Sequence, residues 1–243
     1  MRIKILFEGK EIFNFKKDYR RHFISFLKSV FEKANLLEIY EKKEYKPYVF
    51  SVYLGKEFKI DEEIQAGKEI SLLFSSGDPV IITNFYNGVI KLKKEDKKIV
   101  GENLKIKDIN LLPYKKINKQ KAIFKTIGVC VLNNPDAPKD DFKKWYIIPT
   151  DDIEKFNEIL YERINDRYKY LMKKKDNHNI KLNLIKDYPI KEVIVKHYEG
   201  YVRGFKGVFE LEGSPEILQF VYDYGFGIRT GQGFGLLEII KGV

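Results

Sequence analysis

The chain of 243 residues is long enough for one large domain or two of about 120 residues each. Its 45 Lys and Arg against 35 Asp and Glu leave a net charge of +10, which favours a polyanionic partner, nucleic acid before an anionic membrane surface. Hydrophobic residues at 44% supply real cores, yet no apolar run reaches the roughly 18 residues of a membrane-spanning helix, and the alternating, charged start of the chain reads as a strand rather than a signal peptide. The single cysteine, Cys130, lies in an apolar run; it excludes an internal disulfide and points to a buried thiol in a cytoplasmic protein.

In chain order, the first half reads strand, helix, strand, strand, helix, strand. Arg2–Glu8 alternates apolar and polar residues. Tyr19–Asn35 has helical periodicity, with Phe23, Leu27, Val30, Phe31 and Ala34 on one face. Tyr48–Gly55 and Glu69–Phe74 are β-rich. Asp78 as N-cap and Pro79 at the first position start a helix over Val80–Leu92, despite its β-branched residues. Val100–Leu112 returns to strand, and the basic stretch Leu112–Lys121 is the expected linker between a domain of residues 1–116 and one of residues 117–243.

The second half repeats the order. A strand over Ala122–Leu132 precedes a helix over Asp151–Lys173, whose apolar positions are Ile153, Phe156, Leu160, Ile164 and Tyr168 and whose cap is Asp151 or Asp152. Strands over Pro189–His197 and Val202–Leu211 lead to a helix, Pro215–Tyr224, capped by Ser214, and Gly235–Lys241 closes the unit. Two βαββαβ units in tandem define an α+β chain of two ferredoxin-like domains, each a four-stranded antiparallel sheet with two helices on one face. A single mixed α+β domain is the alternative.

Residues 224–239 read Tyr-Gly-Phe-Gly-Ile-Arg-Thr-Gly-Gln-Gly-Phe-Gly-Leu-Leu-Glu-Ile, with Gly225, Gly227, Gly231, Gly233 and Gly235 inside eleven positions. Glycine lowers helix and strand stability, so this loop, residues 225–235, needs a local reason. It is either a bare turn or backbone that approaches a ligand closely and offers N–H groups to phosphate. Arg229 and Gln232 are the loop's other candidate RNA contacts, and Arg21 and Arg203 add cations elsewhere. Tyr201, Arg203 and Phe205 alternate onto one strand face, as in a sheet that stacks bases, or pack as ordinary core.

The helix before the glycines, the Arg-Thr-Gly-Gln-Gly-Phe-Gly run and the apolar strand after it resemble the C-terminal signature of the CRISPR repeat-processing endoribonucleases, the Cas-six family. Phe124–Leu132 is similar to the strand that opens the second domain in that family, and Leu211–Glu216 resembles its strand-to-helix junction. The resemblance implies a tandem ferredoxin-like pair, CRISPR repeat RNA as partner, and cleavage that leaves a 2′,3′-cyclic phosphate. In many members the catalytic histidine lies within or shortly after the first helix, beside a tyrosine and a lysine. Here residues 36–50 contain no histidine, and Tyr40, Lys42, Lys43, Tyr45, Lys46 and Tyr48 are the polar groups available there.

Metal-free RNA cleavage needs a base for the 2′-hydroxyl, an acid for the leaving 5′-oxygen and cations for the phosphorane. No HxxxH, CxxC or paired-carboxylate spacing occurs, so neither metal nor cofactor is expected. His22 is the first candidate acid or base, near the edge of the first helix's apolar stripe; Lys28 lies about 120° round the same helix. Lys46, with Pro47 after it, is the second candidate, and Tyr40 is its neighbour. His178 is expected to face water or an RNA backbone, and His197 to lie on either face of its strand. The function expected is a metal-independent endoribonuclease that cuts repeat RNA out of a precursor transcript, acting as monomer or homodimer. A non-catalytic RNA-binding subunit of a CRISPR effector complex and an unrelated basic ferredoxin-like RNA-binding module are the competing classes.

Overall fold

Two four-stranded antiparallel sheets, each covered by helices on one face, organise the chain. The protein is represented by a computed structural model that describes residues 1–9, 13–56, 58–60, 63–67, 69–96, 100, 104–138 and 140–242. In the first unit β1 (Arg2–Glu8) leads through β2 (Phe13–Lys16) to α1 (Arg20–Lys33), the short α2 (Leu37–Glu41) and β3 (Val49–Tyr53). Two short strands, β4 (Lys59–Ile60) and β5 (Glu63–Ala66), precede β6 (Ile70–Ser75), α3 (Pro79–Lys94) and β7 (Lys105–Leu112). The second unit comprises β8 (Lys121–Thr126), α4 (Ile153–Met172), β9 (Ile180–Leu184), β10 (Lys191–His197), β11 (Gly200–Lys206), β12 (Val208–Gly213), α5 (Pro215–Tyr224) and β13 (Leu237–Lys241).

The sheet orders are β3-β6-β1-β7 and β13-β8-β12-β9. In each, the unit's first strand lies between its third and fourth while its second forms an edge, which is the ferredoxin-like order. The α1 stripe expected from periodicity is buried, with Phe23, Leu27, Val30 and Phe31 fully covered. α3 is helical because Asp78 Oδ1 accepts from the amides of Val80 (2.8 Å) and Ile81 (3.3 Å), and Phe85 then stacks on Phe74 with ring centroids 3.7 Å apart. Asp152, not Asp151, caps α4, accepting from Glu154 and Lys155 at 3.0 Å. Ser214 caps α5. Among the described residues no helix is long and apolar enough to cross a membrane.

Several expected strands fall differently. The strand begun at Ala122 leaves the sheet after Thr126; the residues to Leu132 bond instead to β11 and to the glycine-rich loop. Residues 101–103 of the strand expected over Val100–Leu112 lie outside the described residues, and β7 begins at Lys105. The Val202–Leu211 strand divides at Gly207 into β11 and β12. β10, over the expected Pro189–His197, is not in the sheet: it pairs only with β11, as a hairpin packed on Val129, Val131 and Phe234. The edge place it was expected to fill belongs to β9. Asn157 and Asn165 of α4 each both donate to and accept from its backbone side, at Leu182 and at His178, covering an edge that would otherwise present bare peptide groups. A further small sheet, β2-β5-β4, packs Phe15 and Ile64 against the first core.

The open face of the first sheet meets the second unit through buried polar contacts. Arg2 stacks on the Tyr222 ring (3.6 Å), donates to Tyr222 O (2.8 Å) and pairs with Glu238 (3.2 Å), while Ser75 Oγ donates to Asp223 O (2.9 Å). Arg2→Ala leaves the buried Tyr222 carbonyl without its donor and should destabilise the chain by about 2–3 kcal/mol. Chemical denaturation checks this; an unchanged midpoint would show the interface to be held by apolar contacts alone.

Candidate nucleic-acid interface

The glycine-rich loop begins where α5 ends, and a buried arginine holds the junction. Arg167 of α4 is fully buried and donates to the carbonyls of Tyr224 (2.8 Å), Gly225 (2.9 Å) and Gly227 (3.1 Å). Burial pushes its pKa down to about 10, so the guanidinium remains charged at neutral pH. The loop's tight path needs glycine most at two positions: a Cβ on Gly227 would stand 2.1 Å from Val131 O, and one on Gly235 2.0 Å from Phe226 O. Gly231 lies against the Lys46 side chain, and Gly233 against Phe50 and Arg20. Phe226 and Phe234 enter the core.

This packing engages three of the five glycine amides within the protein. Gly225 N donates to Val221 O (2.9 Å), Gly233 N to Thr230 O (3.4 Å) and Gly235 N to Val129 O (2.9 Å). The loop is held at these three amides, and it also carries side chains that a ligand can meet. Arg229, exposed and in the left-handed region at φ 59°, donates from Nη1 to Gln232 Oε1 (3.0 Å).

Opposite the loop stands the segment after α2. A cleft of about 380 Å³ opens between them, lined by Lys43, Lys46, Arg167, Arg229, Gly231 and Gln232 together with Glu44 and Tyr45. Lys46 Nζ donates to the carbonyls of Ile39 (3.1 Å), Tyr40 (2.5 Å) and Lys42, capping the C-terminal end of α2. Burial lowers its pKa, and burial raises that of Tyr40, whose ring lies 5.9 Å from the ammonium. A neutral phenol beside a cation can donate a hydrogen bond to a phosphate oxygen.

A second chain of contacts ties the loop to the start of α1. Gln232 Oε1 accepts from Arg229 and stands 3.1 Å from His197 Nε2, so that ring nitrogen carries the proton. His197 Nδ1 then faces Asp18 Oδ1 at 3.6 Å. Asp18 Oδ2 accepts from Tyr198 N (2.7 Å) at the tip of the β10–β11 hairpin, and Arg21 lies over the Tyr198 ring at 5.5 Å. His197 is buried, and burial lowers its pKa.

The structure therefore gathers Lys46, Arg229, Gly231 and Gln232 at one cleft, with the Tyr40 ring beside Lys46 and Arg21 over the Tyr198 ring at the hairpin tip. Gly225, Gly227, Gly233 and Gly235 do not line it, and His22, Lys28 and Arg203 lie elsewhere. His22 is half-buried against the Phe15 ring (5.7 Å) and does not line the cleft; burial, then Arg21, lower its pKa. Lys28 lies two turns beyond Arg21, about 10 Å along α1. Arg203 is no free phosphate contact: it is bound to Asp151 (2.6 and 2.8 Å) and Glu192 (2.8 Å), and Phe205 on the same face is core, which leaves only Tyr201 exposed. His178 is structural too, with Nδ1 at 3.0 Å from the Ser214 hydroxyl. Arg167 and Asp18 are not singled out by sequence pattern. Arg167 carried a signal, a charge eleven residues after Phe156 and three after Ile164, on the apolar stripe of its own helix.

Tandem ferredoxin-like units, the second carrying a glycine-rich loop that faces the first across a basic cleft, define the class of protein. Residues 112–239 match the family described as "CRISPR associated protein Cas6, C-terminal". A relative from Pyrococcus furiosus, described as a CRISPR-associated endoribonuclease-like protein Cas6, is 33% identical over 175 residues, 71% of this chain and 69% of its own. A solved structure described as "An RAMP protein binding different RNA substrates" superposes with a TM-score of 0.80 at 25% identity, covering 99% of this chain and 100% of that one. A Cas6-related protein of Pyrococcus furiosus superposes at 0.78 with 28% identity, covering 99% and 98%. The chain belongs to the Cas6 family.

Arg167→Met should remove about 3 kcal/mol of stability by stranding buried carbonyls, and should speed hydrogen exchange in residues 225–235 beyond that in β8. Uniform exchange would show that the loop does not depend on it. Because the folded chain holds His197 below its ordinary 6.5, the unfolded chain binds more protons near pH 6, so stability is present above about 6.5 and is lost as pH falls. The loss in stability from pH 7.5 to 5.5 should be smaller in His197→Gln, as read from denaturation midpoints at both pH values.

Proposed function

We propose that this chain binds CRISPR repeat RNA in a precursor transcript and cuts it to guide RNAs. The carrying observation is the cleft in which Lys43, Lys46 and Arg229 converge opposite a rigid glycine loop, the charge pattern that a phosphate backbone requires. The endoribonuclease-like naming of the Pyrococcus furiosus relative supports the reading. In the reaction a base takes the 2′-hydroxyl proton, the oxygen attacks the adjacent phosphorus, and the 5′-oxygen leaves with a proton from an acid. The products are a 2′,3′-cyclic phosphate and a 5′-hydroxyl. Lys46 and Tyr40 supply charge and hydrogen bonds at the scissile phosphate. His22, held neutral near pH 7, suits the base role if RNA bends across α1.

One observation favours a second reading, in which the protein holds RNA for an effector complex without cutting. No histidine lines the cleft, and the Lys46 ammonium is already engaged by three carbonyls.

Incubating the protein with repeat RNA in EDTA and mapping product ends separates the two. Cleavage with cyclic phosphate ends, abolished by a 2′-deoxy sugar at the scissile nucleotide, supports the nuclease; tight binding without cleavage supports the holder. His22→Ala should slow a nuclease on the order of 10²–10⁴-fold if the imidazole transfers the proton, and be nearly silent if Lys46 and Tyr40 suffice. Under either reading affinity should fall with salt at a log–log slope of roughly −0.7 per contacted phosphate, and Arg229→Ala should flatten it by about one contact without lowering Tm.

A further inference from the structure

We propose that Trp145 is the stacking platform for an unpaired RNA base, in a hollow separated from the cleft only by the ridge of Ile228 and Arg229. This rests on the RNA-binding reading above and adds to it a second subsite. Ile228 and Arg229 line both the cleft and a second space, of about 430 Å³, walled on its far side by Asn133, Asn134, Trp145 and Tyr146. That volume lies in the range of sites that enclose small organic ligands. A strand leaving the cleft across Arg229 would lay a phosphate on the guanidinium and the next base in this hollow.

The hollow has the chemistry that a base needs. Trp145 is 43% exposed, but its position is fixed: Nε1 donates to Pro138 O (2.9 Å), and its carbonyl accepts from Asn134 N (2.9 Å). An exposed ring already held in one orientation loses little freedom when a base stacks on it. The side-chain amides of Asn133 and Asn134 carry both donors and acceptors, as the Watson–Crick edge of an unpaired base requires. Trp145 is also not an isolated surface ring. Phe142 contacts it edge-on (5.9 Å) and in the same way contacts Tyr201 (6.5 Å), which is 56% exposed on the β10–β11 hairpin. The aromatic surface thus continues outward from the hollow, and Lys196 stands opposite Tyr201 in the hairpin register. Aromatic faces interleaved with cations are how proteins bind single strands irrespective of sequence.

The chain contains one tryptophan, so its intrinsic fluorescence reports this subsite alone. The test titrates the wild-type protein with single-stranded repeat RNA, following tryptophan emission and, independently, the anisotropy of a labelled RNA. The inference expects emission to be quenched with the same midpoint as the anisotropy rise. Trp145→Ala should weaken binding about tenfold or more, leave the salt slope unchanged, and be largely rescued by Trp145→Phe, which keeps a stacking face. Should Trp145→Ala not fold, the wild-type quench alone decides. RNA that raises anisotropy without touching emission overturns the inference and leaves the proposed function standing. An absence of RNA binding by either signal overturns both. Emission that shifts with protein concentration alone, with dimers in sedimentation, assigns the aromatic face to a second copy of the chain and also overturns it.

Discussion

The guanidinium of Arg167 inside a ring of carbonyls is the contact on which the candidate site depends. A buried cation without a carboxylate is costly unless other dipoles replace the water it has lost. Here the replacement is the C-terminal end of α5, where the carbonyls of Tyr224 and Gly225 face the same way and carry the negative pole of the helix. The glycines after the helix, at φ 94° for Gly225 and 69° for Gly227, turn the chain so that one more carbonyl points at the same cation. Arginine and glycines are thus two halves of one arrangement. The cation needs the carbonyls, and the carbonyls reach it only on backbone that a Cβ would obstruct.

The rest of the site inherits its order from that anchor. With its base fixed on α4, the loop rests on the first unit at Val49, Phe50 and Lys46, and on α1 through Arg20. Gln232 then reaches His197, whose other ring nitrogen faces Asp18, and Asp18 accepts from the amide of Tyr198. The Asp18 contacts cross between the two units, as do those of Arg2, Ser75 and Asp223. Neither unit alone presents the cleft, because one wall is the segment after α2 and the other is the C-terminal loop.

Local signals made much of the architecture readable. α1 and α4 have strict apolar periodicity, and Asp78, Pro79 and Ser214 state where helices begin, so α3 could be recognised through its β-branched residues. β9 was hidden because Ile-Lys-Leu-Asn-Leu is short and half polar; its partner on the open side is a pair of asparagines on a distant helix, which no local pattern encodes. The β10–β11 hairpin has the alternation of a sheet strand and differs only in what lies beneath it. At the site, the glycines marked the loop but not the use of the Gly225 and Gly235 amides, since Val221 and Val129 supply their carbonyl partners. Arg203 read as an available cation because Asp151 and Glu192 are far from it in sequence.

A loop with three of its five glycine amides bonded internally is a stiffer frame than an open nest of N–H groups. A nest takes any phosphate that fits, whereas the side chains of Arg229, Gln232 and Lys43 stand at set places around the cleft. Positions set by side chains on such a frame can discriminate one backbone geometry from another. The same rigidity explains why Lys46 lies where it does. Its ammonium completes α2 by capping carbonyls, and its aliphatic stem packs against Gly231, so it supports the cleft wall before it touches any ligand. A lysine with both duties is a poor free proton donor and a good fixed positive charge. Under the function proposed above, the cleft would hold a phosphate in place, and chemistry on that phosphate would depend on how the RNA is bent towards the remaining titratable groups.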